Sequence, residues 1–297
     1  MDRAKQAEII AELQVVQDFD AERELDRRIN FLADYVKSNG LRGYVLGISG
    51  GVDSTVAGRI AQLACEKLRA DGYDAHFVAM RLPYGIQADE DDAQRAVEFI
   101  RPDELLTLDV GPATDAIWEP LLEAATDPVG SVGSGSSSAP VDLLSTDWRM
   151  SHFVKGNVKA RERMIAQYTV AGARSMLVIG TDQAAEAVVR FFTKFGDGAA
   201  DVTPLTGLPK RRVRELARLM GTPKDLVEKT PTADLESDKP LHPDELALGL
   251  SYDEVDDYLE GLEVSPETEA MILRWHQITA HKRALPVTPQ DFETRIS

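Results

Sequence analysis

The segment Gly47–Gly58, GISGGVDSTVAG, sets two glycines between two serines and follows them with an acid. It begins with the last two residues of the apolar run YVLGI (44–48) and leads into helix-forming residues. A strand that turns through glycine into a helix leaves backbone N–H groups and the positive end of the helix dipole facing outward, where they suit phosphate. The hydroxyls of Ser49, Ser54 and Thr55 add donors. The segment therefore predicts a phosphate-binding turn.

Asp53 makes this turn unusual, because a carboxylate repels phosphate unless a cation lies between them. We therefore expect Mg²⁺ to bridge Asp53 and phosphate oxygens. The segment is not a Walker A loop, since GxxxxGK[ST] is absent and no lysine stands beside it, and it is not GxGxxG. The simpler alternative is an ordinary strand-to-helix turn in which Asp53 or Ser54 caps the helix.

Strands and helices alternate around this segment. Apolar spacing and turn signals predict strands at 44–49, 75–80, 104–110 and 175–181. They predict helices at 5–16, 21–37, 54–72, 88–100 and 156–173, and one that ends near residue 125. Such alternation is typical of a parallel sheet covered by helices on both faces. The predicted fold class is α/β, a Rossmann-like three-layer α/β/α arrangement.

We expect one domain over residues 1–297. It comprises N-terminal helices (1–40), an α/β nucleotide-binding core (41–205) and a mainly helical C-terminal extension (206–297). The stretch 127–140, DPVGSVGSGSSSAP, is rich in serine and glycine and predicts a flexible loop.

The charge and the cysteine content of the chain limit its possible partners and its cellular compartment. The net charge is −17, and residues 225–270 hold 15 acidic and 2 basic residues, a pattern typical of a solvated surface. Residues 207–218 are instead basic, which suggests a small anionic ligand. A protein held by nucleic-acid phosphates would more often be basic, so we expect no nucleic-acid partner. One cysteine, no apolar signal region and no long apolar run indicate a cytoplasmic protein without a membrane partner.

The SGGVDS motif resembles the pyrophosphate-binding loop of the N-type ATP pyrophosphatases, whose members cleave ATP between the α- and β-phosphates. Four further stretches are similar to the ammonia-dependent NAD synthetases and follow the family's order. They are LPYGIQADEDDAQRA; GNVKARERM; GTDQAAEAV with FFTKFGDGAADVTPLTGLPKR; and KTPTADL with HKR. The resemblance implies an adenine nucleotide α-hydrolase-like fold. It also implies amidation of deamido-NAD to NAD with ATP, Mg²⁺ and ammonia, the last step of NAD biosynthesis.

The resemblance also implies roles for individual residues. Asp53 and Glu186 match the magnesium ligands, and Asp53, Lys194 and Asp197 are the catalytic candidates. Asp197 would accept a proton from ammonium, because only neutral NH₃ is a nucleophile. The implied ATP contacts are Gly47, Ile48, Ser49, Gly50, Gly51, Val52, Asp53, Ser54, Thr181, Lys210 and Thr232. The implied deamido-NAD contacts are Arg161, Lys194, Asp201, His281 and Lys282.

Ordinary structural interpretations of these residues stay open. Thr181 could cap a helix, Glu186 could be a solvated first-turn glutamate, and Asp197 could belong to an Asp-Gly turn. The family often has histidine where this chain has Gln183, which cannot titrate and leaves an acid–base role there in doubt.

Family members form homodimers with deamido-NAD at the subunit interface, so we expect a homodimer. Nothing before the SGGVDS segment is long enough for a glutamine amidase domain, so free ammonia is the expected nitrogen donor. We also expect the segments 82–92 and 204–225 to close over ATP.

Two rival functions remain. A tRNA-modifying relative with the same loop would need a basic RNA-binding face, and a sulfur-transferring one would need catalytic cysteines, which this composition disfavours. A degenerate nucleotide-binding scaffold would bind ATP without turning it over.

Overall fold

The computed structural model describes residues 1–85, 89–126, 148–189, 191–233 and 242–283, together with Pro286, Thr288 and Pro289. The stretch 127–140 and position 190 lie outside the described residues. The strands are β1 Gly43–Gly47, β2 His76–Arg81, β3 Glu104–Thr107, β4 Leu177–Val178, β5 Thr232–Ala233 and β6 His242–Pro243. The longer helices are α1 Arg3–Glu12, α2 Ala21–Ser38, α3 Val52–Ala70, α4 Glu90–Ile100, α5 Gly111–Thr126, α6 Trp148–Arg174, α8 Lys210–Leu219, α11 Tyr252–Leu259 and α12 Pro266–Ile278. The shorter ones are α7 Ala184–Val189, α9 Lys224–Val227, α10 Asp244–Leu248 and α13 Ala280–Arg283.

The first four strands form one parallel sheet in the order β3-β2-β1-β4. Strand β1 lies inside the sheet, where Val45 pairs with Val78 on one side and Val178 on the other. The carboxyl ends of these strands therefore meet at one edge, the edge at which open α/β sheets bind ligands. This arrangement confirms the predicted α/β class.

Side chains alternate between the two faces of the sheet, as strand geometry requires. Tyr44 and Phe77 point to one face, where they pack against α2, α3, α4 and α8. Val45 and Val78 point to the other face, where they join buried residues of α6. Helices thus cover both faces, and the sheet is the middle layer.

A second apolar cluster lies beside this core. It joins buried residues of α1, α7, α10, α11 and α12, among them Ile9, Val188 and Tyr258. Among the described residues, no helix combines the length and apolar character needed to cross a bilayer.

Several predicted bounds were wrong by a few residues. Helix α1 ends at Glu12 rather than at 16, because Gln14 takes a positive φ of 55°. Helix α6 begins at Trp148 rather than at 156, since Gly156 is tolerated inside a long helix. Strands β3 and β4 are shorter than predicted because their last apolar residues continue into the loops at the carboxyl edge.

Candidate active site

The SGGVDS segment forms a tight turn between β1 and α3. Gly50 has a φ of +83°, and a Cβ there would lie 2.7 Å from the backbone nitrogen of Ala93, so position 50 accepts only glycine without a shift. Gly51, rather than Asp53 or Ser54, occupies the N-cap position of α3, and no side chain caps this helix. The first amides of α3 therefore lack a side-chain acceptor and suit an anion.

Hydroxyl groups stiffen the same turn. The Oγ atoms of Ser49 and Ser54 lie 3.1 Å apart, and the N–H of Gly51 donates to Ser49 Oγ at 3.3 Å. The hydroxyl of Thr55 donates to the carbonyl of Gly51 at 2.8 Å. The turn is thus held by its own side chains before any ligand binds.

Three helices begin around this turn, and each contributes a charged group in its first turn. Asp53 belongs to α3, Glu186 to α7 and Lys210 to α8. The Lys210 ammonium forms an ion pair with Asp53 Oδ2 and lies 3.7 Å from Glu186 Oε1. Its side chain is only 3% exposed. We call these three residues the ion triad.

The ion triad lies in a cleft of about 290 Å³, hereafter the central cleft. Most of the residues expected to contact ATP line this cleft. They come from the ends of strands β1 and β4 and from the N-termini of three helices. They are Gly47, Ile48, Ser49, Gly51, Val52, Asp53, Ser54, Thr181 and Lys210, with Glu186 and Asp197. Gly50 belongs to the same turn but is not one of the residues that line the cleft.

Sequence reasoning missed six polar residues of the central cleft: Arg81, Asp89, Arg163, Gln167, Lys229 and Thr230. Arg81 ends β2 and donates to the carbonyl of Ile48, so it holds the turn from the neighbouring strand. Its position at the carboxyl end of a predicted strand was the signal that could have found it.

Arg163 and Gln167 lie one helical turn apart on α6. Gln167 Oε1 accepts the N–H of Gly47 at 2.7 Å, and Arg163 Nε donates to the carbonyl of Leu82 at 2.9 Å. The two residues are four apart in the helix predicted at 156–173, and this spacing indicates that their side chains lie on the same face of that helix.

Lys229 links two segments that border the central cleft. Its ammonium lies 3.3 Å from Asp89 Oδ2 and 2.8 Å from Asp92 Oδ2, at the start of α4. The expected closure of 204–225 over ATP stays a prediction; in the structure, Leu205 and Leu208 are fully buried and much of the segment is helix α8. Both Lys210, within this segment, and the flanking residues 229–231 line the cleft.

Four of the five residues expected to bind deamido-NAD form a second group, which we call the outer cluster: Arg161, Lys194, His281 and Lys282. Arg161 donates to the carbonyl of Lys194 at 3.2 Å, and Lys194 donates to that of His281 at 2.8 Å. Lys282 donates to the carbonyl of Phe192 at 2.5 Å. Asn157, four residues before Arg161, accepts from the hydroxyl of Thr193 at 2.7 Å, so both residues contact the 192–194 segment.

Asp197 lies between the central cleft and the outer cluster. Its residue is reached by solvent from the cleft, while Thr193 donates its backbone N–H to Oδ1 at 2.9 Å. The protein packed around the carboxylate desolvates it and raises its pKa above the ordinary value of an aspartate. The Thr193 hydrogen bond and the charges of Lys282 and Arg163 oppose this shift.

Asp201, Thr232 and Gln183 are not among the described residues that line the central cleft, and the contacts of the outer cluster do not include them. Asp201 holds the sheet edge, since its Oδ2 accepts the N–H of Val178 at 2.8 Å and its Oδ1 accepts from Tyr168 at 3.4 Å. Thr232 begins β5, and its side chain lies outside the described residues. Gln183 is fully buried, and its Oε1 accepts the N–H of Ala185 at 2.7 Å at the start of α7.

A cleft at the carboxyl edge of a parallel sheet, entered by three helix N-termini and a glycine turn, is where open α/β folds hold nucleotides. By class, the molecule is therefore a nucleotide-binding α/β protein.

The chain belongs to the NAD synthase family, whose model matches residues 24–286. It is 56% identical to the NH₃-dependent NAD⁺ synthetase of Paraburkholderia phytofirmans, across 99% of this chain and 97% of that protein. The crystal structure of NAD⁺ synthetase from Burkholderia pseudomallei superposes with a TM-score of 0.78 at 55% identity and covers 96% of this chain and 97% of that one. The structure of NMN synthetase from Francisella tularensis gives a TM-score of 0.73 at 32% identity, covering 92% and 99%.

Proposed function

We propose that this chain is an ammonia-dependent NAD⁺ synthetase. It uses ATP to convert the nicotinate carboxylate of deamido-NAD to the amide of NAD, and it releases AMP and pyrophosphate. The observation that carries this function is the ion triad set against the SGGVDS turn, in a chain that covers almost the whole length of its NH₃-dependent relatives.

In the first step, an oxygen of the substrate carboxylate attacks the α-phosphorus of ATP. The new bond joins that oxygen to the α-phosphorus, the bond from the α-phosphorus to the bridging oxygen breaks, and pyrophosphate leaves with the electron pair. The SGGVDS turn and the N-terminus of α3 hold the phosphates, while Lys210 neutralises charge that develops on them. Thr181 and Thr232 add contacts to ATP.

Asp53 and Glu186 are the residues that would hold Mg²⁺. Asp53 Oδ1 is buried and has no hydrogen-bond partner among the described residues, and Mg²⁺ prefers such carboxylate oxygens together with phosphates and water. Bound there, the ion would screen the negative charges that approach each other during adenylation. No group of three or more His, Cys, Asp or Glu side chains in the described ranges could hold a metal, which fits an ion that shares its ligands with ATP.

In the second step, ammonia attacks the carbonyl carbon of the acyl-adenylate, the bond from that carbon to the adenylate oxygen breaks, and AMP leaves with that oxygen and the electron pair. The nitrogen loses one proton to solvent and becomes the amide NH₂. Asp197 accepts a proton from ammonium to supply neutral NH₃. Arg161, Lys194, Asp201, His281 and Lys282 bind deamido-NAD, and Lys194 also acts in catalysis by fixing the substrate beside Asp197. The cations of the outer cluster suit a substrate that carries two phosphates and a carboxylate.

A homodimer with deamido-NAD at its interface completes the proposal, and the protein works in the cytoplasm. The outer cluster supports the dimer, because Arg161 and His281 are exposed and the neighbouring Phe195 is 58% exposed in the single chain. The buried, unpaired thiol of Cys65 agrees with a reducing compartment.

The likeness to an NMN synthetase adds a second substrate to test, the deamido form of NMN. Both substrates carry the same nicotinate carboxylate, and they differ in whether an adenylate half is present. A preference for the mononucleotide would keep the chemistry and change the substrate.

The test is a turnover assay on purified protein with ATP and Mg²⁺, each deamido substrate, and either ammonium or glutamine. We expect NAD and AMP to rise together with ammonium and deamido-NAD. AMP without NAD would mean that adenylation occurs and amination fails. Bound ATP without AMP would favour the scaffold hypothesis and overturn the proposal. The Lys224→Ala variant, which changes an exposed lysine that pairs with Glu228 and not with the ion triad, serves as the matched active control.

A further inference from the structure

Asp256 lies in the acidic segment 225–270 that the sequence predicts to be solvated, yet this residue is only 1% exposed. Its Oδ1 accepts the backbone N–H of Lys210 at 2.9 Å, and its Oδ2 accepts that of Arg211 at 2.7 Å. These are the first two residues of α8, whose N-cap residue, Pro209, supplies no side-chain acceptor. A carboxylate on α11 therefore caps α8 from 46 positions further along the chain.

Tyr252 lies one helical turn before Asp256 on α11 and reaches the other end of the same lysine. The Lys210 ammonium lies 5.0 Å from the centroid of the Tyr252 ring, within the range of a cation–π contact. Tyr252 is buried, so this ring is a fixed wall. Helix α11 thus contacts Lys210 both at its backbone N–H and at its ammonium.

We propose that Asp256 and Tyr252 are positioning residues that hold the Lys210 ammonium between Asp53 and Glu186, where ATP phosphates bind. The inference rests on the proposed function of the ion triad. A lysine side chain has four carbons that rotate freely, and a charge-stabilising group must be held to about 0.5 Å to act in a transition state. Helix α11 supplies that restraint because it fixes the start of α8 and the end of the side chain together.

The carboxylate at position 256 suits two N–H donors better than an amide would. Burial raises the pKa of Asp256 to about 6, against the opposing effect of the hydrogen bonds from Arg211 and Lys210 and of the Arg211 charge, while Glu260 raises it further. At neutral pH the group is ionised and faces the positive end of the α8 dipole. An asparagine would accept only one of the two N–H groups and would place an NH₂ donor against the other.

The experiment is a double-mutant cycle that pairs Asp256→Asn with Lys210→Met. The affinity for Mg²⁺ and α,β-methylene-ATP, which cannot be cleaved between the α- and β-positions, is measured by calorimetry in all four proteins. We expect Asp256→Asn to weaken binding about tenfold in the wild-type background and less than about twofold in the Lys210→Met background. A positioning role predicts this coupling, whereas general destabilisation of the fold would weaken binding equally in both backgrounds.

Asp257→Asn is the matched control, because it neutralises the next residue of α11, a partly exposed carboxylate that pairs with the Arg211 side chain. We expect its affinity to equal that of the wild type. Equal losses in both Lys210 backgrounds, or an unchanged affinity of Asp256→Asn, would overturn the proposal.

The Tyr252 contact provides a second test if Asp256→Asn fails to fold by circular dichroism. Tyr252→Phe keeps the ring and should retain the affinity, whereas Tyr252→Leu should lose about fivefold. Equal affinities of these two variants would exclude the ring contact. If the wild-type protein binds the analogue but forms no NAD, the proposed function is contradicted. The energetic coupling between positions 256 and 210 can still be measured in that case.

Discussion

The ion triad and the outer cluster hold their cations in different ways. In the ion triad, the buried ammonium of Lys210 contacts carboxylates from two other helices. In the outer cluster, Arg161 and Lys194 donate to backbone carbonyl oxygens near the surface. A lysine held by two carboxylates keeps no net positive charge, and it belongs to a site that is built before ligand arrives. A cation held by a neutral carbonyl keeps its net positive charge, which remains available to attract an anionic substrate.

This difference supports the proposal that the two groups bind different reactants. The ion triad suits ATP, where charge must be screened locally, and the outer cluster suits capture of deamido-NAD from solution. Substitutions in one group should therefore change the kinetic constants of one substrate and leave those of the other unchanged.

The largest effect is expected from Lys210→Met. Removing the ammonium takes away the cationic side chain that Asp53 and Glu186 share, and with it charge stabilisation at the phosphates. We expect kcat/KM for ATP to fall about 10²–10³-fold. Initial rates of AMP and NAD formation measure it, with thermal unfolding as the check on the fold. The variant Lys224→Met, whose wild-type side chain is 84% exposed, should match the wild type. A loss below tenfold in Lys210→Met would contradict the assignment.

A smaller and more selective effect is expected from Arg161→Ala. Losing one charged hydrogen-bond donor to the substrate costs roughly 1.5–3 kcal/mol, so KM for deamido-NAD should rise about tenfold or more. The KM for ATP should stay within about twofold of the wild-type value. Steady-state kinetics in both substrates separate the two, with Arg274→Ala on the exposed side of α12 as the control. A parallel rise of both KM values would remove the distinction between the two groups.

Asp197 connects the two groups, and its raised pKa makes the amination step sensitive to pH. The carboxyl must be ionised to accept a proton, so activity should fall as the pH drops through the raised pKa. Because desolvation raises that pKa, the loss should begin at a higher pH than an ordinary aspartate would give.

The measurement is the rate of NAD formation against pH, with the rate divided by the concentration of neutral ammonia at each pH. Asp197→Asn should lower the rate and remove this acidic limb. Persistence of the limb in Asp197→Asn would assign it to another group, and AMP formation should keep its own pH dependence in the variant.

The sequence predicted the parts of the site that depend on local geometry. The strand–turn–helix order is enough to place Asp53 at the carboxyl edge of the sheet, and Glu186 follows the strand predicted at 175–181. The predicted fold class was also confirmed, because the alternation of apolar strands with amphipathic helices along the chain is itself a local signal.

Long-range contacts could not be predicted in this way. Asp256 lies in a segment whose composition indicates solvent, and only the packing of α11 on α8 makes it a buried cap. Arg81 is similar, because its contact with the Ile48 carbonyl depends on which strands are neighbours. The outer cluster came from family resemblance, and the spacing of its residues along the chain alone would not have joined Arg161 to His281.

The smallest effect is expected at Gln183, where the family often has histidine. The described walls of the central cleft do not include this buried residue, and its Oε1 caps α7, which carries Glu186. Gln183→His should therefore keep turnover within about twofold, because an unprotonated imidazole nitrogen can accept the same N–H. Gln183→Ala should lower the free energy of unfolding by about 1 kcal/mol, as the loss of a helix cap does. Urea unfolding and pH–rate profiles of both variants measure these effects, and a new ionisation in the profile of Gln183→His would show that position 183 takes part in proton transfer after all.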